Sequence, residues 1–154
     1  MTPTRPRLLV VLVVVGAVAG WSLTSLVDAF VGRSLPVPWT APVVMVLLAL
    51  ALLLWTRGTR ARLARKPGTK PMEPIVAARS AALAMAGSRT GSVVGGFYLG
   101  VAVALSGSWD VPYVRELVLL SLATVLGSAG VVAASLWLER VCRLPPDASG
   151  DGTP

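Results

Sequence analysis

Long stretches without a single charge constrain this chain more than any other feature of its sequence. The first stretch runs from Leu8 to Val27 and is closed by Asp28. A helix needs roughly 20 apolar residues to cross the hydrocarbon core of a bilayer, and this stretch has that length. Because 55% of all residues are hydrophobic and only 14% are charged, the chain also lacks the polar surface of a water-soluble domain. We therefore expect an all-α integral membrane protein.

Three more stretches read as membrane spans. Together with the first, they predict a four-helix bundle within a membrane domain of residues 8–143, with spans at 8–27, 37–55, 90–105 and 117–138. The second span is almost purely Val, Leu, Met and Ala after Ala41, without glycine or serine. Since small residues are what let helices approach closely in lipid, we expect the second span to be the most lipid-exposed.

The first span has an alternative reading as a cleaved signal peptide. Arg5 and Arg7 would form its positive region, and Ala17-Val18-Ala19 would form a small-residue cleavage site. The apolar run continues beyond that site through Leu23 and Leu26, which favours a retained helix.

A strongly basic loop at residues 56–74 separates the second and third spans. Its cations are candidate contacts for anionic lipid headgroups, although a role in fixing topology alone is the simpler reading. Pro74 suits the first position of a helix, so residues 75–105 read as one helix of about 46 Å at 1.5 Å per residue. This helix exceeds the bilayer core of about 30 Å, so residues 75–89 should extend into the cytoplasm. The cations of the loop are Arg57, Arg60, Arg62, Arg65, Lys66 and Lys70.

The distribution of arginine and lysine predicts the orientation of the chain. With four spans, the N-terminus (residues 1–7), the basic loop and the C-terminus share one side of the membrane. That side holds most of the cations, whereas the other side holds only Arg33 and Arg115. The positive-inside rule then places both termini in the cytoplasm of a multi-pass cell-membrane protein. The polar tail, residues 144–154, is expected to be disordered.

Small residues recur at helical spacing in the first, third and fourth spans. The third span has two such ladders, one through Gly91 and Gly95 and the other through Gly96 and Gly100, which predicts two close neighbours. The fourth span adds a polar seam of Ser121, Thr124, Ser128 and Ser135. The simpler interpretation of these small-residue faces is packing of the helices within the bundle. The more specific interpretation is that one face docks a partner or a second copy of the chain. The candidate packing glycines are Gly16, Gly20, Gly91, Gly95, Gly96, Gly100, Gly127 and Gly130.

Ionisable residues lie near the ends of the spans rather than at their centres. We expect Asp28 to pair with Arg33 or Arg115, and Arg89 to pair with Glu139. No acid or lysine falls at mid-bilayer, which argues against a proton- or sodium-coupled carrier.

The sequence offers no catalytic, metal or cofactor site. It has no histidine, and Cys142 is its single cysteine, which excludes an intramolecular disulfide, Ser-His and Cys-His catalysis, and the usual zinc sites. Nucleic-acid binding is not expected either, because the basic loop has no interleaved aromatic residues.

The third helix carries a resemblance to a known family. The chain resembles the uncharacterised four-span membrane proteins of actinobacteria, a domain of unknown function often encoded beside folate-biosynthesis genes. The resemblance extends from Thr4 to about Arg143, and it implies a location in the inner membrane. Met85 stands where many members would have a lysine. The residues that carry the resemblance are Met72-Glu73-Pro74, Ala77-Ala78-Arg79, Leu83-Ala84-Met85-Ala86, Gly91, Gly95-Gly96 and Tyr98-Leu99-Gly100.

These observations rank three hypotheses about function. The first is a non-enzymatic membrane interaction or accessory protein that associates with a membrane protein or with a second copy of itself. The alternative is a small transporter subunit or oligomeric carrier in which Arg89 and the serines of the fourth span line a path. A membrane enzyme ranks last, because no nucleophile, base and orienting group can be assembled.

Overall fold

The computed structural model describes residues 6–32, 37–63 and 74–142, and all regular structure within them is helical. The prediction of an all-α fold with four helices long and apolar enough to cross a membrane is confirmed. The predicted disordered tail and most of the basic loop lie outside the described residues. The helices are α1 (Pro6–Val31), α2 (Thr40–Leu63), α3 (Pro74–Leu105) and α4 (Pro112–Cys142), with a short 3-10 turn at Ser106–Ser108.

Proline and glycine mark the helix ends. Pro6, Pro74 and Pro112 each occupy the first helical position, where the missing N–H is not needed and the fixed φ favours a helix. At the other end of α1, Gly32 has a φ of 62° and its N–H donates to the carbonyl of Asp28 at 3.0 Å. This left-handed C-terminal cap explains why α1 stops there.

The apolar part of α3 begins earlier than the sequence suggested. The candidate span covers Ala82–Ser108, so it includes α3 from Ala82 onward and the 3-10 turn, whereas the predicted span began at Thr90. The alanine, leucine and glycine residues around Arg89 keep the mean hydropathy of this segment high in spite of the one arginine. Arg89 therefore lies within the candidate span, with its side chain exposed.

The helices pack in the order α1, α3, α4, α2. Among the described residues, no Cα atom of α1 lies within 8 Å of α2 or α4, and none of α2 lies within 8 Å of α3. The four helices therefore form an open row, an order that the predicted four-helix bundle left unspecified. Burial follows this order, because 17% of the most apolar part of α1 and of α2 is buried, against 39% for α3 and 44% for α4. The expectation that the second span is the most exposed is thus half right, since α1 is equally exposed.

Two apolar clusters fill the interior of the row. One joins α3 and the start of α4 to Val37, and the other joins α2 to the second half of α4. The buried members are Val37, Val101, Ala102, Leu105, Val114, Leu117 and Val118 in the first cluster, and Ala49, Leu52, Val131 and Ala134 in the second.

We call the two ends of the molecule the Arg7 end, where α1 and α3 begin, and the Asp28 end, where α2 and α4 begin.

Candidate functional site

The contact between α1 and α3 brings two backbones together. A Cβ atom at Gly20 would overlap the carbonyl oxygen of Phe97, and a Cβ at Gly100 would overlap that of Ala17. Gly16 and Gly96 lie in the same contact, facing the backbones of Val93 and Val13 respectively. Residue numbers rise together along the two helices, so they run parallel. This geometry requires glycine on both partners, because any side chain would push the helices apart.

The contact between α3 and α4 combines glycine with serine. A Cβ at Gly95 would lie 3.1 Å from the Cβ of Ser128, and one at Gly91 would lie 3.0 Å from Val132. Gly87 faces the side chain of Ser135 in the same way. The ladder through Gly91 and Gly95 thus meets α4, whereas the ladder through Gly96 and Gly100 meets α1. The two helices are antiparallel, because the residue numbers of the α4 partners fall from Ser135 to Ser128 as those on α3 rise from Gly87 to Gly95.

Hydroxyl groups line this α3–α4 contact, and some of them have a hydrogen-bond partner whereas others do not. Ser121 and Thr124 of α4 each donate to the carbonyl four residues earlier, at 2.8 Å. Ser92 of α3 does the same toward Ser88 at 2.8 Å. By contrast, the buried hydroxyls of Ser128 and Ser135 have no hydrogen-bond partner among the described residues. These two groups are therefore the unsatisfied part of the seam.

The contact between α2 and α4 has glycine on only one side. Gly127 faces Met45, with 2.8 Å between a built Cβ and the Met45 Cβ, and Gly130 faces Ala49 at 3.4 Å. At the Arg7 end, the Trp55 indole N–H donates to the Ser80 hydroxyl of α3 at 3.3 Å. Side chains of α2 thus reach α3 although the backbones stay apart.

At the Asp28 end, Asp28 lies in the lining of a small cavity. Asp28, Ser25 and Ser108 contribute to the lining of this cavity, which measures about 350 Å³. The guanidinium carbon of Arg115 lies 5.9 Å from the ring centroid of Trp109, within cation–π range. Arg33, the other predicted partner of Asp28, lies outside the described residues.

At the Arg7 end, the predicted residues are only partly described. Arg89 is exposed and Glu139 is half-buried. Met85 is half-buried, and its carbonyl accepts a hydrogen bond from Ser88 at 3.1 Å. Of the basic loop, Arg57 is exposed on α2; Arg60 and Arg62 belong to the helix, but only their backbone is described. Arg65, Lys66 and Lys70 lie outside the described residues.

An apolar groove is the feature that sequence reasoning missed. It runs between α1 and α4 over the surface of α3 and has a volume of about 460 Å³. Its floor is α3, at Gly91, Ser92, Gly95 and Leu99, and its walls come from α1 and α4. The groove exists because α1 and α4 flank α3 without meeting, and the glycines between them fill no space. Small-residue spacing could have indicated the floor but not the gap.

The two helices at the ends of the row present different outward faces. The exposed surface of α1 carries the small residues Ser22, Ser25 and Ala29 between large apolar side chains such as Leu26, which is 56% exposed. The outward face of α2 carries large aliphatic side chains, among them Leu47 and Leu54, which are 60% and 65% exposed. Small residues favour close helix contact in lipid and large aliphatic ones do not.

Four helices of this length and composition indicate a multi-pass membrane protein. The chain belongs to the family described as Protein of unknown function (DUF3180), whose family model matches residues 9–146. The predicted membership in an uncharacterised domain family is thus confirmed. No curated protein and no solved structure matches the chain significantly.

Proposed function

We propose that this chain is a non-enzymatic accessory protein of the cell membrane that acts by associating with another membrane protein. The observation that carries this proposal is the exposed surface of α1, where the small residues Ser22, Ser25 and Ala29 interrupt large apolar side chains. The glycines within α1, α3 and α4 are engaged in contacts inside the row, so they do not explain these exposed small residues. Since serine and alanine at the lipid surface contribute less to burial in hydrocarbon than leucine, a contact with another helix gives them a role.

Co-purification tests the proposal directly. A tagged copy is crosslinked in cells, extracted in mild detergent, and its bound proteins are identified by mass spectrometry. We expect one membrane protein to be enriched, and the double variant Ser22→Leu with Ser25→Leu to lose it. The matched control is Val44→Leu on the outward face of α2, which should retain the partner. A monomer that brings down nothing specific would contradict the proposal, and recovery of only the untagged chain would identify the partner as a second copy.

The orientation that accompanies this proposal places both termini in the cytoplasm. It is supported by the excess of arginine and lysine in the termini and the basic loop over the opposite side. Cys142 is the native reporter for it, because a membrane-impermeant thiol reagent should label that cysteine only after the cells are opened. Cleavage of residues 57–70 by protease added to intact cells would refute the orientation.

The positive charge of the basic loop indicates a lipid partner. The basic loop is proposed to contact anionic lipid headgroups, with a contribution on the order of 1 kcal/mol for each cation near the surface. Nucleic acid is not a proposed partner. The resemblance also implies an actinobacterial source and neighbouring folate genes, and both stay predictions that the source genome would test.

A second candidate function is a subunit of a small transporter or an oligomeric carrier. The observation that favours it is the pair of unsatisfied hydroxyls, Ser128 and Ser135, inside the seam between α3 and α4. Hydroxyls of this kind offer hydrogen bonds to a polar solute or to water crossing the bundle. Replacing Ser128 by alanine together with Arg89→Gln, without any change in solute flux across vesicles, would remove this candidate.

A further inference from the structure

The apolar groove has one open, charged end. Its lining begins at Leu9 on α1 and Gly91 on α3, and it ends at Leu136 on α4, all toward the Arg7 end. Beyond this point the lining is replaced by exposed arginines. Arg7 lies three residues before Val10, Arg89 three before Ser92, and Arg140 four after Leu136, so each arginine is on the same helix face as a lining residue.

The interior of the groove offers nothing polar to a ligand. Its one polar side chain is Ser92, whose hydroxyl already donates to the carbonyl of Ser88 at 2.8 Å. The remaining lining consists of glycine, alanine, valine and leucine. A ligand that fits must therefore have a hydrocarbon part for the groove and a separate part for the arginines.

The charge at the open end selects an anion. Arg7, Arg89 and Arg140 are all exposed there, and Glu139 is the one carboxylate at that end within the described part of the chain. Guanidinium groups bind phosphate oxygens in a bidentate manner, and near a membrane surface the field of one arginine is not fully screened.

The length of the groove distinguishes a lipid from a helix. Along α4 it extends from Val125 to Leu136, about 16 Å at 1.5 Å per residue. One leaflet accounts for half of a hydrocarbon core of about 30 Å, so the groove is one leaflet deep. A partner helix that crosses the whole bilayer would leave half of its length outside the groove, whereas an acyl chain would fit within it.

The geometry points to a binding site for one anionic phospholipid, with an acyl chain in the groove and the phosphate held by Arg140, Arg89 and Arg7. The site is separate from the basic loop, and it does not depend on the function proposed above. It differs from the general lipid layer around any membrane protein, because it should prefer an anionic headgroup and retain the lipid through purification.

Native mass spectrometry of the purified full-length chain tests the headgroup preference. Phosphatidylglycerol and phosphatidylcholine with identical acyl chains are added in equal amounts, and the retained ratio is measured. We expect phosphatidylglycerol to be preferred, and Arg140→Gln or Arg89→Gln to reduce the preference about fivefold each. The control is Arg115→Gln at the opposite end, which should leave the ratio unchanged.

A second pair of variants tests the acyl chain. Ala129 and Ala133 line the groove and are exposed, so leucine at either position fills the groove without disturbing a packed contact. Both variants should lose the retained lipid, whereas Ala19→Leu, away from the groove on α1, should keep it. Equal retention of the two lipids, or equal losses in the variants and their controls, would overturn the site. Conversion of a dimer to a monomer by Ala133→Leu with lipid retention unchanged would overturn it in favour of a second copy.

Discussion

The two end helices of the row are attached in different ways. Where α1 meets α3, glycines on both helices allow backbone to touch backbone, and a Cβ atom at Gly20 or Gly100 has no room at all. Where α2 meets α4, glycine is present only on α4, and it faces the side chains of Met45 and Ala49. The first contact depends on the absence of side chains, whereas the second depends on side chains of the right size.

This difference shows that equal burial does not imply equal sensitivity to mutation. The same fraction, 17%, of the most apolar part of α1 and of α2 is buried. In lipid, close packing and interhelical hydrogen bonds hold helices together without a hydrophobic contribution. A contact between two backbones cannot relax by changing a rotamer, so α1 should tolerate less change at its contact than α2.

The largest effect is expected from Gly100→Val, which should separate α1 from α3. The valine side chain would overlap the backbone of Ala17, so we expect a loss of about 3 kcal/mol in the free energy of unfolding in detergent. The matched control is Gly58→Val, since nothing lies within 4 Å of a Cβ built at Gly58. Chemical denaturation followed by circular dichroism measures both. If the two variants were equally stable, the backbone contact between α1 and α3 would be refuted.

A smaller effect is expected from Gly127→Ala in the contact between α2 and α4. Its methyl group would come within 2.8 Å of the Met45 Cβ, so α2 must shift, at a cost of about 1 kcal/mol. Gly130→Ala serves as the comparison, because 3.4 Å to the Ala49 Cβ leaves almost enough room. It should be close to neutral in the same denaturation experiment. A larger loss for Gly130→Ala than for Gly127→Ala would contradict the described register of the two helices.

The central contact should respond in the opposite direction. Ser135→Ala removes a buried hydroxyl that has no partner, and we expect a gain of about 0.5 kcal/mol in stability. Ser121→Ala removes a hydroxyl that donates to Leu117 at 2.8 Å, and it should show no such gain. Thermal unfolding of both variants in the same detergent distinguishes them. A clear destabilisation by Ser135→Ala would mean that its hydroxyl is bound, which would strengthen the carrier alternative.

An effect of similar size concerns the described hydrogen bond from α2 to α3. Trp55→Phe removes the indole N–H that donates to Ser80 at 3.3 Å, and interhelical hydrogen bonds in membranes contribute only about 0.6 kcal/mol on average. Ser80→Ala should give the same small loss, and the double variant should add nothing further. Additive losses in this double-mutant cycle would indicate that the two side chains act independently.

Sequence reasoning succeeded where a property belongs to a single helix. Pro74 predicted the start of α3, and the absence of charge between Leu8 and Val27 predicted a membrane-length α1. The two glycine ladders of α3 likewise predicted two close neighbours, and the structure places α1 and α4 against them. These features follow from helix periodicity and from the thickness of a bilayer.

The same reasoning failed where a property belongs to the arrangement of helices. A glycine ladder indicates that something approaches closely, but it does not say which helix does so. The sequence therefore predicted a four-helix bundle, and the order α1, α3, α4, α2 could not be read from it. The groove was missed for the same reason, since it is a gap between helices that do not meet. Arg89, one residue before the predicted third span, gained its place at the groove only through this arrangement.

The order of the helices also constrains how the chain is assembled as it is made. Neighbours in the sequence, α1 and α2 do not touch among the described residues, and each packs on a helix that is synthesised later. The first two helices therefore enter the lipid without an internal partner, and they stay unsupported until α3 and α4 follow. A ribosome stalled after Leu63 would hold a pair of independent helices, exposed to quality-control proteases for as long as translation is paused.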